Sequence, residues 1–311
     1  MVLVLVPFFV GGGYVLRVLS LGWLYAILAM GVVVSYGYAG IPNMSQGTLY
    51  GVGAYTAANL MMHAGSPFWV AVVGAALVAG LAGGLLGATT LRVGGNYWWL
   101  LTIAFTQTMF IVFNSWTPVT GGSNGFVGIP IATLGPFRFA DNRSFYYLAL
   151  ALLGLVYFAY RRICVSRAGL AMQAVRADSV GARGLGISPG AMKICAMTLA
   201  GLGAGMAGAG IVSITGVINA QTFSLPFSFT TMLLAIVGGI MSLRGAVVAA
   251  VTLTYLTTEV AALVDYQLLI YGGAVVLVLM LRLYLARDST RWPVRMAGSA
   301  ATRLRLRRGV R

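Results

Sequence analysis

Long apolar stretches, bounded by glycine, proline or charged residues, recur along this chain. They fall near residues 1–16, 18–38, 47–62, 67–91, 97–114, 144–162, 193–214, 228–241, 247–264 and 267–285. Several reach the length that a hydrocarbon core demands of a helix, roughly 17–25 residues. In hydrocarbon every backbone N–H and C=O needs a partner within the chain, so such stretches are expected to be helices. The pattern therefore predicts an all-α, polytopic membrane bundle of about ten spans. One segment breaks it: SRAGLAMQAVRADSVGARGLGISPGAMK, Ser166 to Lys193, a helical-looking run of small residues that ends in Gly184-Leu185-Gly186-Ile187. By pattern alone this insert is either a solvated connection or a segment gripped by something outside the membrane.

Composition agrees with the class. Hydrophobic residues make up 59% of the chain and charged residues 8%, against about a quarter charged in a soluble domain. The formal net charge of +15 matters for where it lies. Arg161, Arg162, Arg167, Arg176, Arg183 and Lys193 surround the insert, while Arg282, Arg287, Arg291, Arg295 and the run from Arg303 to Arg311 fill the tail. Positive residues flanking spans mark the cytoplasmic side, and a basic juxtamembrane tail meets anionic headgroups of membrane lipid. Four spans separate insert and tail, so both are expected to be cytoplasmic, with Arg92 and Arg244 on that side and the Ser115–Ser144 loop and His63 outside. Membrane lipid rather than nucleic acid is the expected partner of this charge, because the tail has no aromatic interleaving beyond Trp292. MVLVLVPFFVGGG lacks a basic n-region and a small-residue cleavage site, so a retained first helix is expected, with both termini cytoplasmic. The division expected is one permease-type domain over 1–290, containing the insert at 166–192, and a basic tail over 291–311.

Candidate chemistry is sparse. The only lysine, Lys193, stands between Met192 and Ile194, so no Gly-Lys-Ser/Thr phosphate loop exists. The acids are Asp141, Asp178, Glu259, Asp265 and Asp288, of which Glu259 is the one expected inside the membrane, where ionisable groups serve ion coupling. No His/Cys/Asp/Glu cluster has metal-ligand spacing, and no nucleophile–base pair is suggested, so neither a metal nor enzyme activity is expected. Cys164 and Cys195 flank the insert and read as reduced thiols. Most of the 42 glycines fit close helix packing at small-residue spacing. Two clusters differ, GYAGIPNMSQG (Gly37–Gly47) and VGGIMSLRGAV (Val237–Val247), because they mix Gly or Pro with polar residues. Broken helices of this kind line cavities, which makes Asn43, Ser45, Gln46, Gly238, Gly239 and Ser242 substrate-pathway candidates, with tight turns as the alternative.

These residues also carry a resemblance. GYAGIPNMSQGTLYGVGAY (Gly37–Tyr55), LRVGGNYWWLLTIAF with NSWTPVTGGSNGFVGIP (Asn114–Pro130), the insert, and the block from Lys193 through GVINAQTF to VGGIMSLRGAV resemble, in order and spacing, branched-chain amino acid ABC-transporter permeases. The likeness covers roughly residues 18–285 and is greater to the longer of the two permease subunits. Departures from the family pattern are Gln107 in place of a frequent glutamate, Ala220 in place of a common proline, and Met241 and Ala246 in place of a Gly and a Pro.

The resemblance implies a permease subunit of an ATP-driven importer that carries branched-chain or related amino acids across an inner membrane. It implies a second permease subunit, two ATPase subunits holding ATP and Mg²⁺, and an extracytoplasmic binding protein, with no cofactor in this chain. The insert becomes the coupling segment: Arg176-Ala177-Asp178-Ser179-Val180 as docking helix, with Arg183, Gly184, Leu185, Gly186 and Ile187 at its end and the two glycines turning the chain back. Gln107 joins the pathway candidates. Urea or amide import by the same machinery, an ion-coupled secondary transporter using Glu259, and a passive solute channel are the alternatives.

Overall fold

Almost every apolar stretch becomes a helix. The computed structural model describes residues 7, 13–90, 97–134, 137–139, 141–259, 270–278 and 280. The chain divides into two compact units, Met1–Gln267 and Leu268–Arg311. In the second, residues 270–278 are helical.

In the first unit the long helices are α1 (Gly13–Val32), α2 (Gln46–Met62), α3 (Phe68–Thr90), α4 (Trp98–Ser115) and α5 (Asn142–Val165). The insert forms α6 (Arg167–Ala177) and α7 (Ser179–Gly184). Then follow α8 (Pro189–Thr215), α9 (Leu225–Gly238) and α10 (Leu243–Glu259). Among the described residues four helices are long and apolar enough to cross a membrane: α1 with its extension to Tyr38, α3, α5 and α8. This is the architecture of a polytopic helical membrane protein. Seven of the ten expected spans coincide with described helices to within a few residues. Of the expected first span only Pro7 and Gly13 to Leu16 are described, and Glu259 is described in its backbone alone. Arg92, Asp265 and the tail from 281 lie outside the described residues.

One boundary is corrected. Arg17 does not separate two spans, because α1 runs unbroken from Gly13 and continues as wider, π-helical turns over Val33–Tyr38. Arg17 is exposed on a helix whose next residue, Val18, is buried, so its charge leaves the bundle sideways without a loop. α1 is the central helix, with Leu24, Ile27, Leu28 and Met30 fully buried. α5 and α10 pack on it, while α8 lies chiefly between α2 and α3.

The small residues decide that last contact. A Cβ on Gly201 or Gly205 of α8 would collide with the backbone of Ala79 or Ala75 on α3, and one on Gly53 of α2 would strike Gly205. Without a hydrophobic drive in lipid, backbone-to-backbone approach of this kind supplies the packing. At one end of the bundle the segment after α4 folds into short turns, and its strand β1 (Phe126–Val127) pairs antiparallel with β4 (Val217–Ile218), between α8 and α9. A two-residue hairpin, β2 (Thr133–Leu134) with β3 (Phe137–Arg138), follows β1. His63 lies at this loop end, 5.9 Å from Phe126 between ring centres. The insert occupies the opposite end. There Lys193 stands over the ring of Trp98, 3.9 Å from its centre, the cation-on-aromatic arrangement that favours a membrane boundary.

Candidate functional site

The insert is two short helices joined at one residue. Ser166 caps α6, its hydroxyl accepting from Ala168 N. Asp178 then leaves the helical region (φ −151°, ψ 108°) and caps α7, its carboxylate accepting from Val180 N at 2.9 Å. An aspartate at an N-cap satisfies an otherwise orphan backbone donor, so the expected continuous docking helix across Arg176–Val180 is corrected to a break at Asp178. α7 is held to the bundle through Ala182, which is buried and whose carbonyl accepts from Ile187 N at 3.0 Å. Val180 is 73% exposed and Leu185, just past the helix end, 79%, with Gly181, Arg183 and Gly184 exposed between them and Ser179 half-buried. Gly186 makes the return turn at φ +78°, as its residue type suggested. Gly184 stays helical, and a Cβ there would meet nothing within 4 Å. Ala177 is likewise exposed and Ile187 half-buried.

Arg176 is not free for an outside partner. Its guanidinium Nη1 donates to the carbonyl of Gly37 and also contacts Met241 Sδ. Gly37 lies in the last of the π-helical turns of α1, and Met241 lies in the break between α9 and α10. The two breaks also touch directly, because a Cβ on Gly37 would overlap the carbonyl of Ile240, and one on Gly40 would press on the Arg176 side chain. Thus α6, the end of α1 and the α9–α10 break meet in one knot, pinned by a single arginine. Within the break, Gly239 takes φ +101°. The Ser242 hydroxyl accepts from Gly245 N at 3.0 Å, capping α10, and Gly238 packs directly on the backbone of Gly245.

The other broken stretch turns back into the bundle. After Gly40, at φ +73°, Ile41 N returns to Ser35 O at 2.9 Å, and α2 starts level with Gly31, whose Cβ would overlap the Gln46 amide. Asn43, Ser45 and Gln46 are each 0% exposed. Asn43 Nδ2 donates to Gln46 Oε1 at 3.0 Å, and Asn43 Oδ1 accepts from both Ser45 N and Ser45 Oγ. Gln46 Nε2 donates to Ala200 O of α8 at 3.2 Å. Thr102 and Thr106 of α4 hold the Met44 backbone, and Ser228 of α9 accepts from Gly47 N at 3.1 Å. The expectation that Asn43, Ser45 and Gln46 face a cavity is corrected: they are spent on one another, on the Ser45 N–H left open by the helix break and on a carbonyl within α8.

Gln107 stands apart from this cluster. On α4 the buried residues are Thr102, Thr106 and Phe113, and Gln107 is exposed on another face with Ala104, Thr108 and Ile111. Among the described residues no buried side chain carries a charge, and no cluster could hold a metal ion. Sequence reasoning missed Gly37, Gly40, Thr102, Thr106 and Ser228. The glycines could have been found in the GYAG run, but the threonines and the serine carry no local signal.

Residues 14–281 match the protein family described as "Branched-chain amino acid transport system / permease component". The chain is 30% identical to the high-affinity branched-chain amino acid transport system permease protein LivM of Escherichia coli K12, over 95% of this chain and 75% of that protein. It is 31% identical to LivM of Salmonella typhimurium LT2, over 89% of this chain and 70% of that one. To the permease protein LivH of the same Salmonella strain it is 27% identical, over 81% and 89% respectively. No solved structure matches the chain.

Proposed function

The chain belongs to the family of branched-chain amino acid transport permeases, and from that premise we propose that it is one permease subunit of an ATP-driven importer for branched-chain or related amino acids. Its relatives include both LivM and LivH proteins, which supports a second permease subunit beside this one. Two ATPase subunits carrying ATP and Mg²⁺ and an extracytoplasmic binding protein complete the assembly. In this reading α6, α7 and the tail face the cytoplasm and the β1–β4 end faces outward.

The observation that carries the reading is α7, a helix at the insert end that turns Val180 and Leu185 almost wholly outward. Covering Val180 and Leu185 with a protein surface would remove their apolar area from water, and the ATPase subunits are the partner this reading supplies. Arg176 then links the docked segment to the two helix breaks, so that displacement of the insert on ATP binding shifts both, a two-state element biased by nucleotide.

Reconstitution with the partner subunits tests this. A Cβ at Gly184 meets nothing, so Gly184→Glu should leave the fold intact. In proteoliposomes supplied with ATP on the insert side alone, it should lose ATPase subunits and branched-chain uptake together. Full retention of both would return the insert to an ordinary connection.

A further inference from the structure

A recess of about 400 Å³ runs along the last turns of α5 at the insert end, and its described walls are Phe158, Arg161, Arg162, Val165 and Ser166. Both arginines are exposed, and among the described residues neither side chain has a hydrogen-bond or ion-pair partner. Two other cations of this end are spent: Lys193 lies over Trp98, and Arg176 is turned back to Gly37. A third guanidinium reaches this stretch of α5 from α10, where Arg244 Nε donates to the Tyr157 hydroxyl at 3.3 Å. Tyr157 stands one turn before Arg161 and on the same side of the helix. The carboxylates whose side chains are described lie elsewhere, Asp141 before the far end of α5 and Asp178 capping α7. Positive charge thus gathers here without a counter-charge, and like charges so placed repel until an anion stands between them.

The surface beside the arginines selects the anion. From Arg161 toward the loop end, α5 turns Phe158 and Leu155 outward, 67% and 60% exposed. Of the four helices long enough to span, α5 is the least buried. On a spanning helix such an apolar stripe meets lipid tails. Arginines at its insert end reach the headgroup layer on their long stems. A molecule that offers phosphate to the guanidinium groups and hydrocarbon to Phe158 and Leu155 is a phospholipid. Guanidinium matches phosphate with two parallel N–H···O bonds, and basic recesses on spanning helices take anionic headgroups.

We infer that this recess binds one anionic phospholipid, its phosphate on Arg161 and Arg162 and its tails along Phe158 and Leu155. The inference does not depend on what the chain transports. Because α6 begins just past Ser166, on the rim of the recess, a lipid held there anchors the root of the insert at the membrane surface.

The test uses the full chain, purified in detergent, and phosphatidylglycerol carrying a diazirine near the top of one acyl chain. Photolysis should label residues 155–166, and unlabelled phosphatidylglycerol should compete where phosphatidylcholine does not. Arg161→Gln combined with Arg162→Gln should weaken phosphatidylglycerol binding on the order of thirtyfold, with the melting temperature in neutral detergent unchanged because both side chains are exposed. Arg161→Lys combined with Arg162→Lys keeps the charge without the planar fork and should restore part of the binding. Phosphatidylcholine competing as well as phosphatidylglycerol would overturn the site, as would label confined to other segments or wild-type binding by the double glutamine variant. Displacement by inorganic phosphate alone would overturn it in favour of a soluble anion. Label that appears on the separate chain but not on the same chain within its membrane complex would make this face a contact between subunits instead.

Discussion

Gln46 binds two distant parts of the chain through one amide, and that decides what its replacement does. Its oxygen accepts from Asn43 and its nitrogen donates to Ala200, 154 residues away. Gln46→Leu strands the Asn43 amide in a place water does not reach, at about 1–3 kcal/mol, and removes the side-chain bond to the Ala200 carbonyl, which keeps its partner within α8. The expected result is a lower melting temperature of the purified permease, read by thermal unfolding in detergent, with uptake falling because less protein folds. An unchanged melting temperature with uptake abolished would instead make Gln46 part of the pathway. The run Asn43–Gln46 was legible as a break, since polar residues beside Gly40 and Pro42 fit no continuous apolar helix. Its partners were not legible, because nothing local in Ala200 or in Ser228, 181 residues from Gly47, marks them as the other half of a bond.

At the scale of elements, α8 is a spacer whose thickness is set by glycine. Gly205 touches α3 at Ala75 and Ala76, and Gly53 of α2 touches Gly205 in turn, so three backbones stack with no side chain between them. Gly205→Leu would drive its side chain into α3 and push α8 away from it. Overpacking of a filled interior costs about 1–3 kcal/mol and sometimes more, and here the obstacle is the backbone of Ala75 and Ala76, which cannot swing aside as a side chain would. Expression should drop and the protein should aggregate on extraction, as size-exclusion profiles would report. Gly184→Leu, at an open position of α7, should behave as wild type in the same assay. Small-residue spacing made the α8 contact legible in advance. The division at Arg17 failed for a related reason: a hydropathy reading treats a cation as an end, whereas α1 turns that residue outward and runs on. Short α9, 14 residues ending at Gly238, also escapes such a reading, since its apolar run continues past the break through Ile240 and Met241.

Taken over the whole molecule, the insert end separates two tasks that a single docking segment would combine. The outward face of α7, with Val180 and Leu185, is shaped to be gripped, whereas Arg176 at the end of α6 is turned back to Gly37 and Met241. Gripping and transmission can therefore be cut independently. Arg176→Ala removes the pin between the insert and both helix breaks while leaving the α7 surface whole, because Arg176 is itself exposed and makes its contacts through the guanidinium. The variant should bind ATPase subunits as wild type does, and those subunits should hydrolyse ATP, yet amino acid uptake per ATP should fall on the order of tenfold, the size of a coupling free energy of 1–3 kcal/mol. Arg176→Lys keeps the charge but offers a compact ammonium in place of a planar, multi-donor guanidinium, so it should recover only part of the loss. Measuring uptake and hydrolysis on the same proteoliposomes separates this from Gly184→Glu, which should remove the ATPase altogether. If Arg176→Ala instead lost its ATPase subunits while keeping a normal melting temperature, Arg176 would belong to the gripped surface, and the knot at Gly37 and Met241 would be packing without a part in coupling.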